Sequence, residues 1–256
     1  MNKELNVKFY QFAKQFLIEH LPQGIELDCY YKICKAKSLK EIFIIFIASA
    51  QQYQHMTNVI QFVNRYEELK PILYDFDYHK IALLKADDLY KTLRNKFAIN
   101  SKDNKYNSWY KWSCSIVDSA KFISQYNDLN DFESFINSFS YNADTRLALP
   151  LVIATKIKGI AFALACNALK EIGYADYPKP DVHLMDICES LNICERNEYE
   201  TFQSIIQIAN DNNVSAYEVD KTLWLICSGK FYNHNINVKS YKKEFIKECR
   251  EFLNNA

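Results

Sequence analysis

The residues best placed to do chemistry lie in one stretch, Ala154 to Ile187, which reads ATKIKGIAFALACNALKEIGYADYPKPDVHLMDI. Lys156 and Lys158 flank a turn at Gly159, and an almost wholly apolar helical pattern follows from Ile160 to Ile172. A tight turn that opens a helix presents backbone N–H groups without intrahelical partners, at the positive end of the helix dipole. Such groups suit a phosphate, and lysines beside them add charge. Taken alone, K-x-K-G fits equally an ordinary helical hairpin with two solvated lysines. Further on, Asp181 follows Pro180 and opens the segment VHLMDICESL, a position where aspartate serves well as an N-cap. A cap fixes the carboxylate in place, and the helix dipole favours its negative charge.

The elements that must hold these residues are helical. Only four glycines and five prolines occur in 256 residues, whereas sandwiches and barrels use both freely in turns. Leu5, Phe9, Phe12, Ala13 and Phe16 form an apolar stripe that predicts an amphipathic helix over 4–20. Ser38 and Glu41 have capping-box spacing ahead of a buried helix over 38–50, as do Ser215 and Glu218 ahead of VDKTLWLIC. Helices are also predicted near 54–68, 86–95, 107–125 and 129–138, with a loop at 100–105. Pro150 reads as the first turn of a short helix ending near Lys156, and Gly173 as a left-handed stop. The architecture is therefore all-α, with ten or more helices and no parallel-sheet signal. The crowded aromatics Tyr106, Trp109, Tyr110 and Trp112 fit either a stacking surface or the core, and Trp224 within LWLIC reads as core.

Lys+Arg and Asp+Glu both total 31, which argues against a globally basic nucleic-acid coat. The balance is uneven, however. Between residues 186 and 220 eight acids stand against Arg196 alone, a net −7, so the remainder carries +7. A basic side facing an anionic partner is compatible with the neutral total. Eight cysteines, at 29, 34, 114, 166, 188, 194, 227 and 249, contain no C-x-x-C pair and read as reduced thiols. Neither a metal site nor any cofactor is expected from them. The start MNKELNVKFYQFAKQF lacks the apolar stretch of a signal peptide, and no apolar run reaches membrane-spanning length. The expectation is a cytoplasmic protein, nucleoid-associated if bacterial, with no membrane partner.

In this setting the segment around Gly159 and Asp181 resembles the helix-hairpin-helix DNA glycosylase superfamily, of the endonuclease III type. That family carries a hairpin of the form P-G-hydrophobic-G, a helix, a Pro-containing loop, and then an aspartate often followed closely by His. Lys158-Gly159-Ile160-Ala161 lies on the hairpin and Asp181-Val182-His183 on the aspartate motif, 22 residues after Gly159 as in the family. Ser49-Ala50-Gln51 is similar to the family's S-A-Q segment, whose glutamine enters the gap left by an extruded nucleotide. The resemblance covers roughly residues 38–190. Lys158 replaces the family's proline, and Ala161 its second glycine. Bifunctional relatives carry a nucleophilic lysine eighteen residues before the aspartate, and that position is Ala163 here.

The resemblance implies two interleaved helical lobes, with 38–145 as a first lobe, 146–190 as the hairpin and aspartate segment, and 1–37 plus 191–256 as a second lobe. It implies a monofunctional glycosylase that removes a damaged or mismatched base from double-stranded DNA, acting as a monomer. Asp181 would be the catalytic carboxylate, and His183 either its support or a packing residue. Lys156, Lys158, Gly159 and Ala161 would contact phosphates. Gln51 would be the gap-filling wedge, or else a helix-end residue facing solvent. Two other readings fit the same residues: a catalytically silent helix-hairpin-helix DNA-binding protein, and a helical interaction protein.

Overall fold

The computed structural model describes residues 2–54 and 56–254. Among these the chain forms fifteen α-helices, and its strands are a short antiparallel pair, Lys230–Phe231 with Ile236–Asn237. The fold is all-α, as the scarcity of turn residues predicts. No helix among the described residues is long and apolar enough to cross a membrane. The chain divides into two compact units, one from Lys35 to Ile172 and the other from Met1–Cys34 together with Gly173–Ala256.

In the unit from Lys35 to Ile172, the helix Ser108–Ile123 is the axis of the core. Its buried Trp109, Trp112, Ile116, Ala120 and Ile123 meet the helices Leu39–Ala50, Tyr78–Ala82 and Ala86–Lys96. Burying an indole requires a partner for its N–H, and Trp112 Nε1 donates to the Ile47 carbonyl at 2.9 Å. Both tryptophans whose role the sequence left open are thus core residues. Ser38 caps Leu39–Ala50 by accepting from the Glu41 N–H at 3.2 Å, as its spacing predicts.

Two expected helices differ. The pattern over 54–68 is broken into Met56–Ile60 and Tyr66–Ile72, because Gln61 adopts a left-handed φ of 52°. That break lets both Ile60 and Phe62 be buried, which one continuous helix face would not allow. Pro150 does not begin a helix but lies inside Ala143–Lys156. The true start is a capping box, in which Asn142 accepts from the Thr145 N–H and the Thr145 hydroxyl accepts from the Asn142 N–H, each at 2.9 Å. Proline has no N–H for the Arg146 carbonyl, a loss offset by burying its ring beside Leu149 and Ile153.

The other unit packs the helix Lys3–Glu19 against Glu198–Asn212, Ala216–Ser228 and Lys242–Asn254. The predicted stripe is its inner face, with Phe9 and Phe16 edge-on to Phe245. Trp224, expected in the core, is only half-buried and rests against Tyr232. Tyr232 lies in the turn between the two short strands, whose only sequence signal is the alternating Asn233, Asn235 and Asn237.

Candidate nucleic-acid interface and catalytic carboxylate

Helices Ala143–Lys156 and Phe162–Ile172 are joined by the turn 157–161. Its side chains alternate in burial. Ile157 and Ile160 are enclosed, whereas Lys156, Lys158, Gly159 and Ala161 are all exposed. The two isoleucines anchor the turn and leave the four residues expected to contact phosphates exposed. Gly159 has a φ of +86°, a conformation open to glycine at little cost. The Lys158 peptide is bolted to Ser108–Ile123 at both ends. Ser115 Oγ donates to the Lys158 carbonyl at 2.6 Å, and the Lys158 N–H donates to Asp118 Oδ2 at 3.2 Å. That N–H is therefore engaged within the protein, and Lys158 Nζ lies 5.9 Å from the Tyr110 ring centroid.

Asp181 belongs to the other unit and is the N-cap of Val182–Ser190. The N–H groups of His183 and Leu184 donate to it at 2.9 and 3.3 Å, both on Oδ1, so Oδ2 stands outside the cap. The proline loop before it is pinned in turn. Asp181 N–H donates to the Lys179 carbonyl at 2.8 Å, and Lys179 N–H donates to Asp220 Oδ2 at 2.8 Å. Asp220 is 2% exposed on the helix Ala216–Ser228, whose Tyr217 N–H also bonds the Ala175 carbonyl at 2.9 Å. In the sequence Asp220 stands out only as part of the acidic segment. Its pairing spans 41 residues, which no local pattern reports.

His183 reaches Asp181 through its backbone rather than its ring. The ring Nδ1 is buried and has no hydrogen-bond partner among the described residues. Gln51 is 6% exposed, not solvent-facing. Its Oε1 accepts from the Phe62 N–H at 3.1 Å, and its carbonyl accepts from Thr57 Oγ1 at 3.1 Å. It lines a cavity of about 340 Å³ with Asn58, Gln61, Val63 and Asn64. Val63, also on the lining, is 78% exposed. Among the described residues no group of three or more His, Cys, Asp or Glu is arranged to hold a metal.

The fold was compared with solved structures. It matches a crystal structure of Methanocaldococcus jannaschii 8-oxoguanine glycosylase/lyase in complex with a 15mer DNA containing 8-oxoguanine, with a TM-score of 0.52. Sequence identity is 16%, and the match covers 90% of this chain and 99% of that one. The chain has an all-α glycosylase fold. No protein-family model matches it, and neither does any curated protein sequence.

Within this glycosylase fold Ala163 sits half-buried in the first turn of Phe162–Ile172 and brings no amine to it. The neighbouring Leu164, Ala165, Ala168 and Leu169 pack inward. Of the sequence-predicted residues, Lys156, Lys158, Gly159 and Ala161 come together at one exposed turn. Gln51 lies elsewhere in the same unit, in the loop region after Leu39–Ala50, and Asp181 and His183 lie in the other unit.

Proposed function

We propose that this chain is a monofunctional DNA N-glycosylase, acting on duplex DNA that carries a damaged or mismatched base. The observation that carries the reading is Asp181. One of its oxygens is fixed at a helix N-terminus, its approach loop is pinned by Asp220, and its second oxygen is left outside the cap. A glycosylase fold with such a carboxylate has what hydrolysis of an N-glycosidic bond requires. The target nucleotide is extruded from the stack. As the bond from C1′ to the base nitrogen breaks, positive charge develops across C1′ and the ring oxygen, and the Asp181 carboxylate stabilises it. The base leaves with the bonding electron pair and takes up a proton from solvent, water adds to C1′, and the proton that water releases passes to the carboxylate or to solvent.

A lysine nucleophile would instead form a Schiff base with the opened sugar and permit strand cleavage. Ala163 supplies none, so the product is an intact strand with an abasic site. Lys156 and Lys158 hold a phosphate by charge. The N–H groups of Gly159 and Ala161 add to this, while those of Lys158 and Ile160 are held by Asp118 and by the Ile157 carbonyl.

A silent DNA-binding protein is the second reading, favoured by the enclosure of Gln51, whose Oε1 is held by the Phe62 N–H. Duplexes carrying different lesions and mismatches, each incubated with the protein, decide between them. The expected result is strand breakage on at least one duplex after alkali and none before it. Binding without base release across the whole panel establishes the silent reading. A borohydride-trapped adduct replaces the monofunctional assignment and directs attention to Lys156 and Lys158.

A further inference from the structure

Far from its aspartate cap, the helix Val182–Ser190 ends in a turn that folds the chain back. Asn192 takes a left-handed φ of 54° and donates its N–H to the Glu189 carbonyl at 3.1 Å, while Ile193 donates to the Cys188 carbonyl at 2.8 Å. This pair of bonds around a left-handed residue is the Schellman ending of a helix. It returns Cys194 toward Cys188, close enough for each thiol to shift the pKa of the other. Cys188 is wholly buried. Cys194 is half-buried and lines a cavity of about 700 Å³ together with Glu189, Asn192, Glu195, Arg196 and Asn197. Thr201 Oγ1 lies 3.7 Å from its sulfur.

These surroundings split the two thiols. The hydrogen bond from Cys188 above all, with those from Ser204 and Thr201, lowers Cys194 to about 6, against burial and the Glu200 carboxylate. The same bond and its burial push Cys188 well up. The negative charge is thus favoured on Cys194, which opens on the cavity, and the proton is held by the enclosed Cys188. Burial alone does not produce such a split. Cys227 and Cys249, enclosed without such donors, are both pushed up to about 12.

We propose that Cys194 and Cys188 form a peroxide-reactive dithiol, with Cys194 as the nucleophile toward a hydroperoxide and Cys188 as the resolving thiol. The Cys194 thiolate attacks one peroxide oxygen. A sulfur–oxygen bond forms, the oxygen–oxygen bond breaks, and hydroxide leaves and takes up a proton as water. The Cys188 sulfur then attacks the Cys194 sulfenic sulfur, displacing its hydroxyl as a second water and closing a disulfide. Two thiols lose two electrons in all, and the peroxide gains them. Closing a sulfur–sulfur bond of about 2 Å asks for movement of Cys194, which lies in a loop. This chemistry is independent of the glycosylase reading.

The test uses hydrogen peroxide on the full chain, followed by tryptic mass mapping. Trypsin does not cut before Pro180, so the peptide from Glu171 to Arg196 carries these two cysteines and no others. At pH 5.5 a thiol of pKa near 6 has about 0.2 of its population as thiolate, against about 0.001 for an ordinary thiol near 8.5. Its weaker nucleophilicity takes back about twentyfold, so a net advantage of about tenfold remains. The expected result is that this peptide becomes lighter by two hydrogens about tenfold faster than the exposed Cys29 and Cys34 are modified, and that dithiothreitol reverses the change. At pH 8.5 the advantage should disappear. Cys194→Ser should leave Cys188 unoxidised, and Cys188→Ala should stop at a sulfenic acid on residue 194 that dimedone captures. If Cys188→Ala fails to fold, dimedone competing with disulfide closure in the unaltered protein gives the same information. Oxidation of Cys29 and Cys34 with the 188–194 peptide unchanged, or a disulfide joining either cysteine to another partner, overturns the proposal.

Discussion

Asp181 shows how one residue type satisfies a local rule and a chemical role together. As a cap it accepts two backbone N–H groups on Oδ1, which fixes the carboxylate plane and leaves Oδ2 for other work. Asn retains the amide oxygen that accepts those bonds, so Asp181→Asn preserves the helix start and removes the charge. If the charge stabilises the sugar cation, excision should fall by about 10²–10³-fold while duplex affinity stays nearly constant. Single-turnover base release beside a binding titration checks this, and unchanged excision removes Asp181 from the mechanism. The cap was legible in the sequence because Pro180-Asp181 ahead of an apolar run is a local signal. Asp220 was not legible. Its bond to the Lys179 N–H depends on helix Ala216–Ser228 packing beside the proline loop, a tertiary fact.

At the scale of elements, the hairpin depends on a narrow fit between the Gly159 turn and the helix Ser108–Ile123. A Cβ on Gly159 would lie 2.6 Å from Ser115 Oγ, the same atom that donates to the Lys158 carbonyl, and 4.0 Å from Ser115 Cβ. Gly159→Ala therefore meets two costs, a left-handed φ for a residue with a side chain and a collision with the hydroxyl. The φ alone costs about 1–3 kcal/mol, which urea unfolding should register. Removing the hydroxyl with Ser115→Ala leaves only an ordinary contact at that point. The double variant should accordingly be less destabilised than the two single losses added together, and strict additivity would show that the contact is not strained. The hairpin's existence was readable from glycine and lysine spacing, but its brace on Ser115 and Asp118 was not, since those residues are 43 and 40 positions away. Local signals also misled where they competed. Pro150 suggested a helix start, whereas the capping box at Asn142 and burial of the proline ring set the actual one. Gln61 broke a helical pattern so that both Ile60 and Phe62 could be buried.

Across the whole molecule the formal charge of zero hides a division between the two units. The unit from Lys35 to Ile172 holds 18 basic and 14 acidic side chains, and the other holds 13 and 17, a split of +4 against −4. The acidic run between 186 and 220 lies entirely in the negative unit, where Asp186 is bonded to both Arg196 and Lys242. The hairpin lies in the positive one. A polyanion is thus drawn toward the unit that carries Lys156 and Lys158, although the chain as a whole has no net field to attract it. If these lysines neutralise phosphates, duplex affinity falls as salt rises, because each neutralised phosphate releases condensed counterions. Replacing Lys156 and Lys158 together by alanine should weaken binding to any duplex sequence and flatten the plot of log affinity against log salt by about 1 per lost contact. Both side chains are exposed and their removal leaves Ile157 and Ile160 in place, so the hairpin itself should persist. Fluorescence anisotropy over a salt series reads both quantities. A double variant with unchanged affinity and slope shows that the positive unit meets DNA through some other surface. A loss of affinity without any change in slope shows that the two lysines shape the hairpin rather than touch phosphate.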